Sequence, residues 1–288
     1  AGRTDGIGAQ VQATLSTLLT ARELGLTYCH SPFKEIEHYA DREHAAIQWE
    51  RFFSLGKGEL GLGDIPMDNL EVVHIDTPKP DEILNFKNYE NTLFIVKHCH
   101  DFADYHPDKY LDMQEQILEK YMHASKECYA SYYKPGKVNI AVHIRRGDVY
   151  KHRVNRFTSN EFYKDLLTDI MATLDSFQLE SELHIYSQGQ PADFGVLNDL
   201  EVTFHLDECT YTTFYNLTAA DVLVMAKSSF SYTAALFSKS IKIYQPFLHQ
   251  PQKDWILADF EGEAMGMSFD QAKFKHVLES ALMAKAMA

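Results

Sequence analysis

The chain has 288 residues, 45% of them hydrophobic and 24% charged, which suits a globular protein of one large or two ordinary domains. Its formal net charge of −14 argues against general nucleic-acid binding but not against a nucleotide, since a few local arginines suffice for a diphosphate. No apolar run reaches the roughly 18 residues of a membrane span and no signal peptide opens the chain. Four scattered cysteines (Cys29, Cys99, Cys128, Cys209) read as reduced thiols of a cytoplasmic protein.

The opening stretch is glycine-rich, with Gly6, Gly8 and Gln10, and runs into a helical pattern that puts Val11, Leu15, Leu18 and Leu19 on one face. Leu26-Thr27-Tyr28-Cys29 then reads as a strand. A glycine loop that opens a helix suits an anion. Between Cys29 and Glu71 lies a tract rich in Gly, His and aromatics, including Trp49, Phe52 and Phe53; its part from Phe33 to Asp64 is expected to shape an acceptor cleft. Strands are expected at Glu71–Ile75 and Thr92–Val96. His98-Cys99-His100 alternates along a strand, so its middle residue points away from the other two, against a metal site. The pattern through Leu111, Ile117, Leu118, Tyr121 and Met122 predicts a helix over 107–129, opened by Pro107. Lys134-Pro135-Gly136-Lys137 breaks the pattern and marks a domain boundary.

The second half is more regular. The run 138–144 reads as a buried strand. Thr158-Ser159-Asn160-Glu161 caps a helix whose apolar face is Phe162, Leu166, Ile170, Leu174 and Phe177. Strands follow at 183–187, 202–206, 222–225 and 241–244, with helices over 213–219 and 231–237 between them. Strands alternating with helices predict a parallel, doubly wound sheet and an α/β fold. The expected domains are 1–136, 137–250 and a mostly helical tail, 251–288, packing back across the first half.

His143-Ile144-Arg145-Arg146-Gly147-Asp148 is the most informative stretch, because it follows the 138–144 strand directly. In open α/β sheets ligands bind outside the carboxyl ends of the strands. Two guanidinium forks there suit a phosphate or pyrophosphate, and the flanking His143 and Asp148 supply a proton acceptor or an orienting carboxylate. The embedded Arg-Gly-Asp triplet is too short a signal for an adhesion function. Met225-Ala226-Lys227-Ser228-Ser229-Phe230-Ser231 forms a second strand-to-helix junction, whose hydroxyls and free N–H groups suit phosphate oxygens; Ser229 or Ser231 also serves as a helix N-cap. Two such junctions in one parallel sheet can converge on one ligand.

With the next two residues, Val149 and Tyr150, the first motif resembles the H-x-R-R-G-D-Y of GDP-fucose-dependent α-1,2-fucosyltransferases, and it is similar to the H-x-R-R-x-D of α-1,6- and peptide O-fucosyltransferases. Ser228-Ser229-Phe230-Ser231-Tyr232-Thr233-Ala234-Ala235 resembles their S-S-F-S-W-W-G-A region, and Gly6-Ile7-Gly8-Ala9-Gln10 their opening G-G-L-G-N-Q. The resemblance implies a GT-B-like architecture: two Rossmann-like domains with parallel sheets, a ligand cleft between them, and the nucleotide in the C-terminal half. It implies inverting, metal-independent transfer of fucose from the donor GDP-fucose to a glycan acceptor, with no further cofactor. By position, Arg145 binds the β-phosphate, His143 lies by the ribose or guanine, Ser229 and Phe230 hold the pyrophosphate, and Asp148 orients Arg146 or the loop. Gly6, Gly8, Gln10, Arg146, Ser228 and Ser231 complete the donor set. The chain departs from the pattern at Ala9, Tyr232 and Thr233, at Thr213 in place of an acidic guanine reader, and near Arg153 in place of a glutamate base.

The chemistry stands apart from the resemblance. Breaking a sugar–diphosphate bond develops negative charge on the leaving phosphate, which a fixed cation stabilises; Arg145 supplies one. An oxocarbenium-like transition state needs little deprotonation of the acceptor, and Asp148, His152, Glu35 and Asp5 all remain candidates for that task. A non-catalytic nucleotide- or sugar-binding protein on a decayed transferase fold is the alternative.

Overall fold

The computed structural model describes residues 4–66, 68, 70–75, 85, 91–96, 108–124, 129–150, 154–261 and 266–287. The His98-Cys99-His100 run, His152 and Arg153 lie outside them. The chain divides into two units, Ala1–Cys128 and Tyr129–Ala288. The division falls before the expected Pro-Gly boundary because residues 130–133 are already tied into the second unit. Buried Asn216 accepts the Tyr132 N–H (3.1 Å) and donates to Ala130 O (3.0 Å), and its carbonyl accepts the Tyr133 hydroxyl (2.7 Å).

In the first unit α1 (Ile7–Glu23) is buried on nearly every side, not only along the predicted apolar face. Buried Thr14 and Thr20 and half-buried Thr17 are satisfied within the helix, each donating to the carbonyl four residues back. Strand β1 (Cys29–His30) pairs in parallel with β2 (Leu60–Gly61), and β3 (Glu71–Ile75) with β4 (Thr92–Val96). Between β1 and β2, α2 (Arg42–Phe53) starts at Asp41, whose side chain caps His44 N–H, and ends on Ser54 in the left-handed region (φ 52°). Trp49, Phe52 and Phe53 of α2 pack with Tyr121 of α3 (Asp108–His123) into an aromatic core. The buried Lys120 ammonium ties the following loop to α3, donating to Leu55 O (3.2 Å) and Lys57 O and pairing with Glu59 (2.7 Å).

The second unit is built on a seven-stranded sheet. Its strands are β5 (Val138–His143), β6 (Ser181–Ser187), β7 (Val202–Leu206), β8 (Val222–Val224), β9 (Ile241–Tyr244), β10 (Ile256–Glu261) and β11 (Gly266–Phe269), ordered β11-β10-β9-β8-β5-β6-β7. Every pairing is parallel except β10 with β11. Ile140, Val142, Leu183, Ile185, Val222, Val224 and Ile243 form one face of the core, covered by α4 (Asn160–Ser176) through Phe162, Leu166, Leu167, Ile170 and Leu174. The Ser159 hydroxyl caps α4 by accepting Phe162 N–H at 3.2 Å. Helices α5 (Thr210–Ala219) and α6 (Ser229–Leu236) complete the alternation.

The stretch after 250 differs from the expected helical tail. Ile256 and Ala258 alternate into the core while Leu257 is exposed, a two-residue period that belongs to a strand. β10 therefore extends the open edge of β9, β11 folds back on it, and among the described residues of this stretch only α7 (Gln271–Met287) is helical; its Phe274 and Leu278 join the core of the second unit.

Lateral register carries His143, Tyr186 and His205 across three adjacent strands. His205 stacks between Tyr132 and Tyr186 (centroids 4.4 and 4.6 Å) and shares a proton with His184 across 3.1 Å. Burial lowers the pKa of both imidazoles, that of His205 to about 4. An unfolded histidine titrates near about 6.5, so between these values the native chain binds fewer protons than the unfolded one, and stability falls as pH drops through that window. Urea midpoints at pH values spanning it are expected to fall less steeply for His205→Phe than for the wild type; equal slopes would remove the pair from the acid response.

Candidate functional site

The sheet order places a topological switch at β5: the chain proceeds to β6 and β7 on one side and returns to β8 and β9 on the other. The loops leaving the carboxyl ends of β5 and β8 thus diverge and leave a crevice, the usual ligand position in such sheets. Both sequence motifs lie on those two loops.

Ile144 continues the ladder beyond β5 through Tyr186 O (3.0 Å), and its own carbonyl accepts the Ser187 hydroxyl (2.6 Å). The chain then turns at Gly147, whose backbone is in the left-handed region (φ +69°) that favours glycine. The turn returns Asp148 to Arg145. Their contact is bidentate: Nε to Oδ1 at 3.1 Å and Nη2 to Oδ2 at 2.6 Å. Asp148 grips one edge of a partly exposed guanidinium and fixes its direction; the Nη1 edge makes no hydrogen bond among the described residues.

Arg146 behaves differently. It is 2% exposed, donates to Arg145 O (2.9 Å) and Asn160 Oδ1 (2.6 Å), and lies 4.7 Å over the Phe157 ring. The two arginines therefore do not present one double fork. Arg146 ties the loop to the start of α4, and Asp148, expected to orient Arg146 or the loop, holds Arg145.

His143 carries its ring 5.6 Å from that of Phe230, which packs on Phe214 in turn. Burial, with the nearby Arg145 charge, lowers its pKa to about 3, so the ring is neutral at physiological pH. Its buried Nδ1 has no hydrogen-bond partner among the described residues, an arrangement that a ligand group can complete. On the β8 side the N-cap of α6 is Ser228, not the expected Ser229 or Ser231: it accepts Phe230 N–H at 3.2 Å, while Ser231 is buried and bonded to Ala226 O. Ser229 meets His249 Nε2 at 3.5 Å. His249 sits on the loop after β9, its carbonyl accepting the Tyr244 hydroxyl and its ring 5.0 Å from Tyr232. Nothing in the linear sequence marks it, since it lies twenty residues beyond Ser229.

At the neighbouring strand ends, Asp207 follows β7 and accepts Gly189 N–H (3.2 Å), and Glu208 accepts the Tyr132 hydroxyl (3.3 Å). Both are exposed, while Thr213 lies in the first turn of α5. The opening motif belongs to the first unit. Gly6 is the N-cap position of α1, Gly8 is buried in its first turn, and Gln10 is a buried clamp that donates to Asp5 O (2.7 Å) and Glu35 O (2.8 Å). Among the described residues no group of His, Cys, Asp and Glu is placed to hold a metal ion, and no helix is long and apolar enough to cross a membrane.

Fold and site together define an α/β chain whose second unit is a doubly wound, Rossmann-like sheet with an arginine at its switch point. Neither a protein-family model nor a curated protein matches the sequence. Among solved structures, the chain is similar to POFUT1 in complex with GDP, with 14% identity and a TM-score of 0.40 over 83% of this chain and 97% of that one. It is also similar to the NodZ α-1,6-fucosyltransferase soaked with GDP-fucose, with 11% identity and a TM-score of 0.38 over 93% and 96%. Values this low carry no weight for activity; the chemistry of the site is carried by this chain's own residues.

Proposed function

We propose that the second unit binds the diphosphate of GDP-fucose and that the chain transfers fucose to a glycan hydroxyl. The observation that carries this reading is Arg145, oriented by Asp148 at the carboxyl end of β5 beside the N-terminus of α6. A guanidinium held before the reaction begins needs no reorganisation as charge develops on the leaving phosphate, and stabilisation of that kind contributes several kcal/mol. The α6 N-terminus, with Ser229 and His249 beside it, adds donors and a favourable dipole. The resemblance of the two loop motifs to those of GDP-fucose-dependent enzymes supports the choice of donor.

With the diphosphate at the end of β5, the nucleoside extends toward the ends of β6 and β7, where Asp207 and Glu208 stand. A carboxylate can accept from both N1–H and N2–H₂ of guanine, which a threonine hydroxyl cannot do. Competition among GDP, ADP and UDP is expected to favour GDP, and the preference to shrink in Asp207→Ala plus Glu208→Ala. Release of GDP from GDP-fucose is expected to persist in excess chelator. No guanine preference in the wild type would overturn the donor assignment. Loss of turnover with chelator, restored by Mg²⁺ or Mn²⁺, would overturn the metal-free mechanism, and GDP binding without turnover would mark a binding protein.

A further inference from the structure

Lys227 lies in the loop that leaves β8, immediately before the Ser228 N-cap of α6. It is half-buried, and its ammonium stands 5.6 Å from the centroid of the Phe260 ring on β10. Among the described residues that ammonium has no hydrogen bond and no ion pair. The other lysines of the second unit that are half-buried or buried all have a partner. Lys137, Lys164 and Lys242 reach carboxylates at 3.1, 2.7 and 3.7 Å, and Lys273 donates to two backbone carbonyls. Carboxylates are not scarce, since the chain carries 41 Asp and Glu against 27 Lys and Arg.

Taking a cation partly out of water without an opposite charge is unfavourable, and an aromatic face offsets only part of that cost. A lysine that merely ties the fold together would use a carboxylate, as its neighbours in the unit do. The position of Lys227 says which anion completes it. Val142 of β5 pairs with Val224 of β8, and Arg145 and Lys227 each stand three residues beyond that pair. The two cations therefore leave adjacent strands at the same level, on the two loops that border the crevice. The same loops carry the start of α6 and, packed on Phe230 of its first turn, the buried His143, whose Nδ1 lacks a partner among the described residues.

We propose that Lys227 is a second cation for the diphosphate, reaching the β-phosphate from the β8 loop while Arg145 holds it from the β5 loop; this rests on the donor reading above. A diphosphate carries more than one negative charge. A single guanidinium, already paired with Asp148 along one edge, leaves much of that charge uncompensated. An ammonium is a compact charge with three donors on a flexible stem, suited to the non-bridging oxygens that a fixed fork does not reach. Phe260 is the positioning residue. Its ring packs on Phe162 of α4, with centroids 4.7 Å apart, and it holds the ammonium without neutralising it. The lysine thus keeps its full charge for the ligand.

The test is calorimetry with GDP, GMP and inorganic pyrophosphate, in the full chain and in Lys227→Met and Lys227→Arg. Methionine keeps an unbranched apolar stem on Phe260 and removes the charge; arginine keeps both the charge and the contact with the ring. Lys227→Met is expected to bind GDP and pyrophosphate on the order of 10–100-fold more weakly, the loss of a charge-assisted contact, while GMP affinity changes little. Lys227→Arg is expected to keep most of the affinity for all three. If a melting curve shows that Lys227→Met does not fold, Lys227→Gln carries the same expectation. Wild-type GDP affinity in the folded variant, an equal loss for GMP, or a loss that Lys227→Arg shares in full overturns the proposal and leaves the donor reading standing. A wild type that binds pyrophosphate without preferring GDP to ADP and UDP overturns the donor reading, and weaker pyrophosphate binding in Lys227→Met then upholds Lys227 as a diphosphate ligand. A wild type with no affinity for GDP or pyrophosphate overturns both.

Discussion

Replacing Arg145 by alanine is expected to weaken GDP binding by about 2–4 kcal/mol, the loss of a charge-assisted contact to a phosphate. The size follows from preorganisation. Asp148 holds the guanidinium through two hydrogen bonds, so the free protein already has the geometry that the ligand needs. Arg145→Lys is expected to recover little, because an ammonium can neither keep the bidentate grip of Asp148 nor present a second planar edge. Calorimetric titration with GDP decides the matter, and unchanged affinity in Arg145→Ala would remove this residue from the site. Melting temperature is expected to move little, since the side chain is partly exposed and its ion pair lies near the surface.

Arg146→Ala is expected to act first on stability. This side chain is buried, with two hydrogen bonds from its cationic head and an aromatic ring beneath it. Truncation leaves Arg145 O and Asn160 Oδ1 without these donors and opens a void between the loop and α4. Hydrogen bonds to charged groups contribute about 1.5–3 kcal/mol each and are not additive, so a stability loss of roughly 2–4 kcal/mol is expected by urea denaturation. GDP affinity should fall as well, because the loop that carries Arg145 loses its anchor. A variant as stable as the wild type would contradict the structural role. Both variants are expected to bind GDP more weakly, and urea denaturation separates them, since only Arg146→Ala is expected to lose stability.

Several features of this protein were legible in its sequence for local reasons. The alternation of apolar runs with helical periodicity set the parallel sheet of the second unit, because a strand buried on both faces needs a continuous apolar run such as Val138-Asn139-Ile140-Ala141-Val142. Capping chemistry placed the start of α4 to within one residue: the box beginning at Thr158 is replaced by a cap at Ser159, which accepts Phe162 N–H, while the Thr158 hydroxyl donates to Gln245. The position of His143–Asp148 at a strand end followed from the strand itself.

Other features depended on packing between distant residues. Whether the stretch after 250 became helix or strand was decided by the open edge of β9, which β10 could extend with Ile256 and Ala258 facing the core. The separate roles of Arg145 and Arg146 rest on Asp148, Asn160 and Phe157, and long flexible side chains take their direction from such partners rather than from spacing. His249 had no local signature, because its partner Ser229 lies twenty residues away and the two meet only when their loops close on a formed sheet. Periodicity reports which face a residue occupies; which groups meet on that face is decided by the tertiary structure, where burial and hydrogen-bond satisfaction select one arrangement from many that the pattern allows.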